Sequence, residues 1–208
     1  MPWSEEYKQK TRERILDAAA TMFREHGIEQ TSVADVMKRA GLTHGGFYAH
    51  FRSKDELVAE AIGHASEQVS KLFDSPKESA PDALLAVAAA YLSLPHMTHP
   101  ERGCPVAALG TELIRSSQKV RKVVSKGILT RLEKLYQRTA PDATLENRRR
   151  QAAGVLACMV GGQILARSLS SSEGAQFLSD CQGFVHDALV AQSRPSAPQS
   201  LSPVKASR

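Results

Sequence analysis

Between Thr43 and Lys54 the chain reads "THGGFYAHFRSK", a stretch whose side chains could hold the phosphates of a nucleic acid. Thr43 and Tyr48 carry hydroxyls, His44 and His50 carry imidazoles and Lys54 an ammonium, and all of these bond phosphate oxygens. Gly45, Gly46 and Ala49 have no side-chain donor or acceptor, although the alanine methyl could touch a thymine methyl. Small residues at those positions would let a backbone approach another surface closely. Upstream, Lys8, Lys10, Arg12 and Arg14 form a basic arm suited to phosphates or to a minor groove. A different chemistry is available at Cys104, in "ERGCP", where a loop enters a helix and Arg102 stands two residues away. Free backbone N–H groups and a guanidinium would both favour a thiolate there. The plain alternative is a small buried residue, and Cys158 and Cys181, inside apolar helical faces, read as core. His96, His99 and Cys104 supply only three loosely spaced ligands and match no zinc signature, so no metal and no cofactor are expected. Tyr91, Glu112 and Tyr136 are candidate pocket groups by location alone.

These residues need elements to position them. Taken alone, the Gly-Gly pair suggests a β-hairpin turn, and two glycines would cost a helix about 2 kcal/mol. The surroundings decide for a helix. Residues 7–26 place Ile15, Ala19, Met22 and Phe23 on one face, and Gly27 stops that helix. Ser32 and Asp35 form a weak capping box ahead of Val33, Val36 and Met37, and Gly41 ends this second segment. Ser53 and Glu56 form another capping box ahead of Leu57, Val58, Ala61 and Ile62. A hairpin between capped helices would have no sheet to join. As a helix, the stretch has Thr43 as its N-cap, Phe47 and Phe51 on a buried face, and Gly45 and Ala49 roughly opposite. Helix, tight turn at "AGLT" and short helix together make a helix-turn-helix. Further along, "PDALLAVAAAYLSL" reads as an amphipathic helix after a Pro-containing break at 75–81, and "HMTHPERGC" as a loop. Pro105 opens the next helix, and a long helix follows with Val120, Val123, Val124, Ile128, Leu132 and Leu135 as its stripe. Two last helices, roughly 144–169 and 173–192, carry apolar, small-residue faces suited to a dimer seam.

The chain has 208 residues, 42% hydrophobic and 24% charged, with a net charge of +5. No apolar run approaches the ~20 residues that span a bilayer, and the N-terminus has no apolar signal core, so a cytoplasmic protein is expected. Residues 1–66 hold 9 Lys+Arg and 10 Asp+Glu, a net of −1, while the rest holds 18 and 12, a net of +6. Nucleic-acid binding at the N-terminal end must therefore rest on the placement of charge. That balance also argues against a non-specific architectural DNA binder.

The segment "TRERILDAAATMFREHGIEQTSVADVMKRAGLTHGGFYAHFRSKDELVAEAI" resembles the DNA-binding domain of the TetR family of bacterial transcriptional regulators, over about 50 continuous residues. The resemblance implies an all-α fold: a three-helix helix-turn-helix domain (1–52), a helical effector-binding and dimerisation domain (53–192), and here a Pro/Ser-rich tail (193–208) expected to be disordered. It implies a sequence-specific regulator, most naturally a repressor and not an enzyme, that binds a palindromic operator in double-stranded DNA as a homodimer. The DNA-binding set is Lys8, Thr31, Ser32, Thr43, His44, Gly45, Gly46, Tyr48, His50 and Lys54. Positions matching Thr43, Tyr48 and Lys54 are phosphate contacts in the family, which often has Lys where this chain has His44. Some TetR-like regulators with a similar "GC" at the start of this helix respond to reactive compounds. The signal is accordingly expected to be a small molecule, or an oxidant or electrophile sensed at Cys104. The alternative is a thiol-dependent enzyme or redox protein using Cys104.

Overall fold

The computed structural model describes residues 4–74, 80–139 and 143–190, and among these the chain is helical with no strand. The expected tail at 193–208 and most of the break at 75–81 lie outside the described residues. In chain order the α-helices are α1 (Glu5–His26), α2 (Val33–Arg39), α3 (Lys54–Ser70), α4 (Ala80–Tyr91), α5 (Leu94–Thr98), α6 (Pro105–Arg115), α7 (Gln118–Tyr136), α8 (Leu145–Ala166) and α9 (Ser171–Val190). Short 3₁₀ segments occupy His44–Ala49, Lys71–Phe73 and Pro100–Arg102.

Local chemistry sets most of these boundaries. Gly27 closes α1 at φ 89°, donating its N–H to the Phe23 carbonyl. The Ser32–Asp35 capping box starts α2, with the Ser32 side chain accepting from the Asp35 N–H and the Asp35 carboxylate accepting from the Ser32 N–H. Gly41, at φ 69°, turns the chain after α2, and Leu42 donates back to the Met37 carbonyl at 2.9 Å. Ser53 caps α3 through the Glu56 N–H.

Two features differ from the sequence reading. His44–Ala49 is a 3₁₀ helix, with Gly46 N–H bonded to the Thr43 carbonyl and His50 N–H to that of Phe47. Two glycines and a six-residue length leave little to favour the wider α-helical turn, and packing of Phe47 and Phe51 fixes the tighter one. Thr43 occupies the N-cap position but its side chain makes no cap bond. The stretch expected as a loop at 96–104 instead holds α5 and a 3₁₀ turn. Ser93 caps α5 with Pro95 in its first turn, and Pro100 begins the turn that follows.

Two hydrophobic clusters organise the molecule. The first joins Ile15, Ala19 and Phe23 of α1, Val36 and Met37 of α2, Phe47, Phe51 and the first half of α3, and it takes in Leu109 and Leu113 of α6 and Val120 of α7. The second joins Phe73, α4, Cys104, Leu135, α8 and α9. Helix α3 carries residues in both, so it runs from the helix-turn-helix into the helical body.

Candidate nucleic-acid interface

The helix-turn-helix is built so that its small second element turns outward. Phe47 and Phe51 are each 1% exposed and stack at 5.7 Å, which anchors the element from beneath. Tyr48 packs edge-on against Phe47 at 5.2 Å yet is 69% exposed. Thr43, His44, Gly45 and Ala49 are exposed beside it. Ser32 is exposed at the start of α2, and Lys54, half-buried, stands at the start of α3. The apolar anchors therefore fix one face, and the opposite face offers hydroxyl, imidazole and backbone groups.

A cavity of about 330 Å³ between α1 and the motif brings together Lys8, Thr43, Gly46 and His50 of the predicted set, with Thr11, Met37, Leu42 and Ala49. The pKa of His50 is lowered there, first by burial and then by the positive charges of Arg12 and Lys8, so the ring is held neutral.

Thr31 is placed differently from the rest. It is 1% exposed, and its hydroxyl donates to the Gly27 carbonyl at 2.8 Å, which braces the turn between α1 and α2. The basic arm is also partly engaged inside the protein. Arg12 pairs with Glu60 at 2.5 Å and lies 4.4 Å over the Phe51 ring, and Arg14 donates to the Ala40 carbonyl. Lys10 pairs with Glu6 on its own helix. Lys8, 3.8 Å from Glu5, is the member of the arm that borders the motif cavity. Sequence reasoning passed over Lys38 and Arg52, exposed cations in and beside the motif. Their flanking positions were the available signal.

Besides the shared apolar core and the continuous α3, two polar links join the end of α1 to the α6 region. Arg24, buried near the end of α1, donates Nη1 to the Gly103 carbonyl at 2.7 Å. At the other end of α6, the Glu112 carboxylate accepts from the Ile28 N–H at 2.7 Å, in the turn after α1. Glu112 thus links α6 to the turn after α1, while Tyr136 lies under the Arg148 guanidinium at 4.3 Å.

Cys104 occupies the N-cap position of α6 and is wholly buried. Its own N–H donates to His96 Nε2 at 2.9 Å, and His96 Nδ1 lies 2.7 Å from the Tyr91 carbonyl, which makes Nδ1 the protonated nitrogen. The His96 ring is therefore engaged with backbone rather than with the thiol. Arg102 is turned to solvent near Glu101 at 3.6 Å, whereas buried Arg24 and half-buried Arg167 are the cations whose charge reaches Cys104. The Tyr91 hydroxyl is buried close to the sulfur, and burial first, then Cys104, pushes its pKa well up. Cys158 is pushed up to about 11, by burial and then by neighbouring Cys181, and stays a thiol at neutral pH.

An outward-facing helix-turn-helix on a helical body defines a class: two-part, all-α DNA-binding regulators. Comparison with known proteins narrows it. The family model described as bacterial regulatory proteins, tetR family, matches residues 15–61. The chain is 39% identical over 64 residues to the HTH-type transcriptional regulator AcrR of Shigella flexneri, which covers 31% of this chain and 30% of that protein. It is 24% identical over 176 residues to the HTH-type transcriptional regulator LmrA of Bacillus subtilis, covering 82% of this chain and 94% of that one. A solved TetR transcriptional regulator from Chloroflexus aurantiacus superposes with a TM-score of 0.75 at 27% identity, over 89% of this chain and 96% of that one. By sequence the resemblance to TetR regulators lies in residues 15–61, and in fold it extends over most of the chain. The chain spans about a third to a half of the length of the first curated relatives it matches.

Proposed function

We propose that this protein is a sequence-specific DNA-binding repressor that grips a palindromic operator as a homodimer and lets go when its helical domain receives a signal. The observation that carries this reading is the 3₁₀ element at His44–Ala49. Phe47 within it and Phe51 just beyond are locked inward, and His44 and Tyr48, with Thr43 at its start, are presented outward. Pairing of two copies is supported by α8 and α9, whose outer faces carry Ile164, Leu165 and Phe184, exposed by 42%, 55% and 64%. A two-fold dimer would offer two motifs to two half-sites. Such a regulator works on DNA in the cytoplasm, and no helix among the described residues is long and apolar enough to cross a membrane.

The signal is a small molecule, or an oxidant or electrophile reaching Cys104. Because that thiol is buried, modification requires a local opening at the start of α6, where the Arg24 link also attaches. Sequencing genomic fragments retained by the purified protein tests DNA reading: one enriched palindrome supports it, and retention without sequence preference sinks it. A gel-shift titration with peroxide or a quinone, on wild type and Cys104→Ser, tests the sensor. Equal response of the two proteins assigns Cys104 to the core and the signal to an ordinary ligand.

A further inference from the structure

The helical body buries a cation for which the described residues supply no ion pair. Arg131, on α7, is 2% exposed, and its Nε and Nη2 have no hydrogen-bond partner among the described residues. Other buried or half-buried arginines in this fold are satisfied: Arg24 donates to the Ala20 and Gly103 carbonyls, and Arg167 to those of His96, Met97 and Ala107. An unpaired guanidinium out of water is costly, and the cost is relieved only when a counter-charge arrives.

The direction in which Arg131 faces is fixed by its neighbours. A Cβ placed on Gly127 would lie 3.9 Å from Arg131 Nη2 and 3.4 Å from Ser66 Oγ. The guanidinium therefore lies where α7 crosses α3. The two helices leave a groove there of about 310 Å³, lined by Arg131, Lys126, Ser66, Thr130 and Glu67 among others. Two cations and three hydroxyls, of which Ser70 already accepts from Lys134, line the groove with one carboxylate, and Glu67 leaves both guanidinium nitrogens unpartnered. A guanidinium on the floor, an ammonium at the rim and a hydroxyl opposite are the donor set of an oxyanion receptor.

We propose that this groove binds the oxyanion group, a carboxylate or a phosphate, of a small molecule, with Arg131 as the primary contact and Lys126 and Ser66 completing it. An occupant would bond α3, the helix that leaves the DNA-reading motif, to α7. A consequence for DNA rests on the function proposed above, whereas the binding itself does not.

The experiment follows thermal unfolding of the full chain, without DNA, during titration with inorganic phosphate and separately with benzoate. Chloride at matched ionic strength is the control. Tm is expected to rise by a few degrees with phosphate or with benzoate and to stay flat with chloride, the responding probe marking which oxyanion the groove prefers. Arg131→Met should abolish the rise, and without anion it should unfold no lower than wild type, since an uncompensated charge is gone. Lys126→Gln and Ser66→Ala, both at the groove's lining, should weaken the rise while leaving the anion-free Tm in place, which keeps the test decisive even where Arg131→Met folds poorly. No rise beyond chloride, or an equal rise in Arg131→Met, overturns the proposal. So does an anion-free loss of stability shared by Arg131→Met and Glu67→Gln, because that pattern marks an internal ion pair.

Discussion

Tyr48 and Thr31 both carry a hydroxyl within the proposed DNA-binding set, and their surroundings separate them. Tyr48 is 69% exposed and Thr31 is 1% exposed with its proton donated to the Gly27 carbonyl. Tyr48→Phe and Lys54→Ala are expected to weaken binding alike at all DNA sequences while folding stays intact, and Lys54→Ala should lower the salt slope by about 1. Unchanged affinity in both variants, measured by fluorescence anisotropy across a salt series, removes these contacts from the interface. Thr31→Val should instead cost about 1 kcal/mol of stability by removing the hydrogen bond to the half-buried Gly27 carbonyl. His96 gives the residue scale its pH dependence. Burial first, then the charges of Arg167 and Arg24, hold its pKa below 6.5 despite the opposing bond to Tyr91. The unfolded chain therefore takes up the proton first. The contribution is intact above pH 6.5 and is lost as pH falls from there through the folded-state value, with a slope of at most about 1.4 kcal/mol per pH unit. Urea melts between pH 7.5 and 5 should show a shallower loss in His96→Gln, and identical slopes would assign the acid sensitivity elsewhere.

At the scale of elements, two adjacent glycines of α8 behave oppositely. A Cβ on Gly162 would meet Leu92 Cδ2 at 2.8 Å and Cys181 Sγ at 3.3 Å, while one on Gly161 meets nothing within 4 Å. Gly162→Glu is expected to prevent folding, read as loss of the cooperative thermal transition, and Gly161→Glu to leave that transition in place. The helices themselves were largely legible from sequence, because caps and apolar spacing are local signals: Ser32, Ser53, Gly27 and the Ile15–Phe23 face all act within one or two turns. The winding of His44–Ala49 was not legible, since it depends on how Phe47 and Phe51 seat in a core assembled from distant segments. Helix α5 was hidden by its five-residue length. The motif's outward residues could be read, but the inward turn of Arg12 could not, because its partner Glu60 lies 48 positions further on. Likewise the burial of Cys104 depends on α1, α4 and α8 closing over it, which no spacing near "RGCP" records.

At the scale of the whole molecule, the open side of Gly161 lies on the helix whose outer face also shows Ile164 and Leu165, so this surface is where a second copy would rest. Gly161→Glu is therefore expected to give a folded monomer in sedimentation at micromolar concentration, where wild type sediments as a dimer. A monomeric wild type would contradict the pairing. The two links that bracket α6 have a mechanical meaning. A rod joined to its load at one point can swivel without moving it, but α6 is joined to the end of α1 at both of its own ends, through Gly103 and Glu112. These anchor points are nine residues apart along the chain, roughly 13 Å at the helical rise of about 1.5 Å per residue. Any tilt of α6 must then carry the reading head with it as torque, and the head has no bearing on which to stay behind. Cutting one link leaves α6 held to α1 by the other link and by the packing of Leu109 and Leu113, so Arg24→Met and Glu112→Gln are each expected to speed amide hydrogen exchange in α6 and the double variant to add little; unchanged exchange in both single variants would show that the links do not brace the helix.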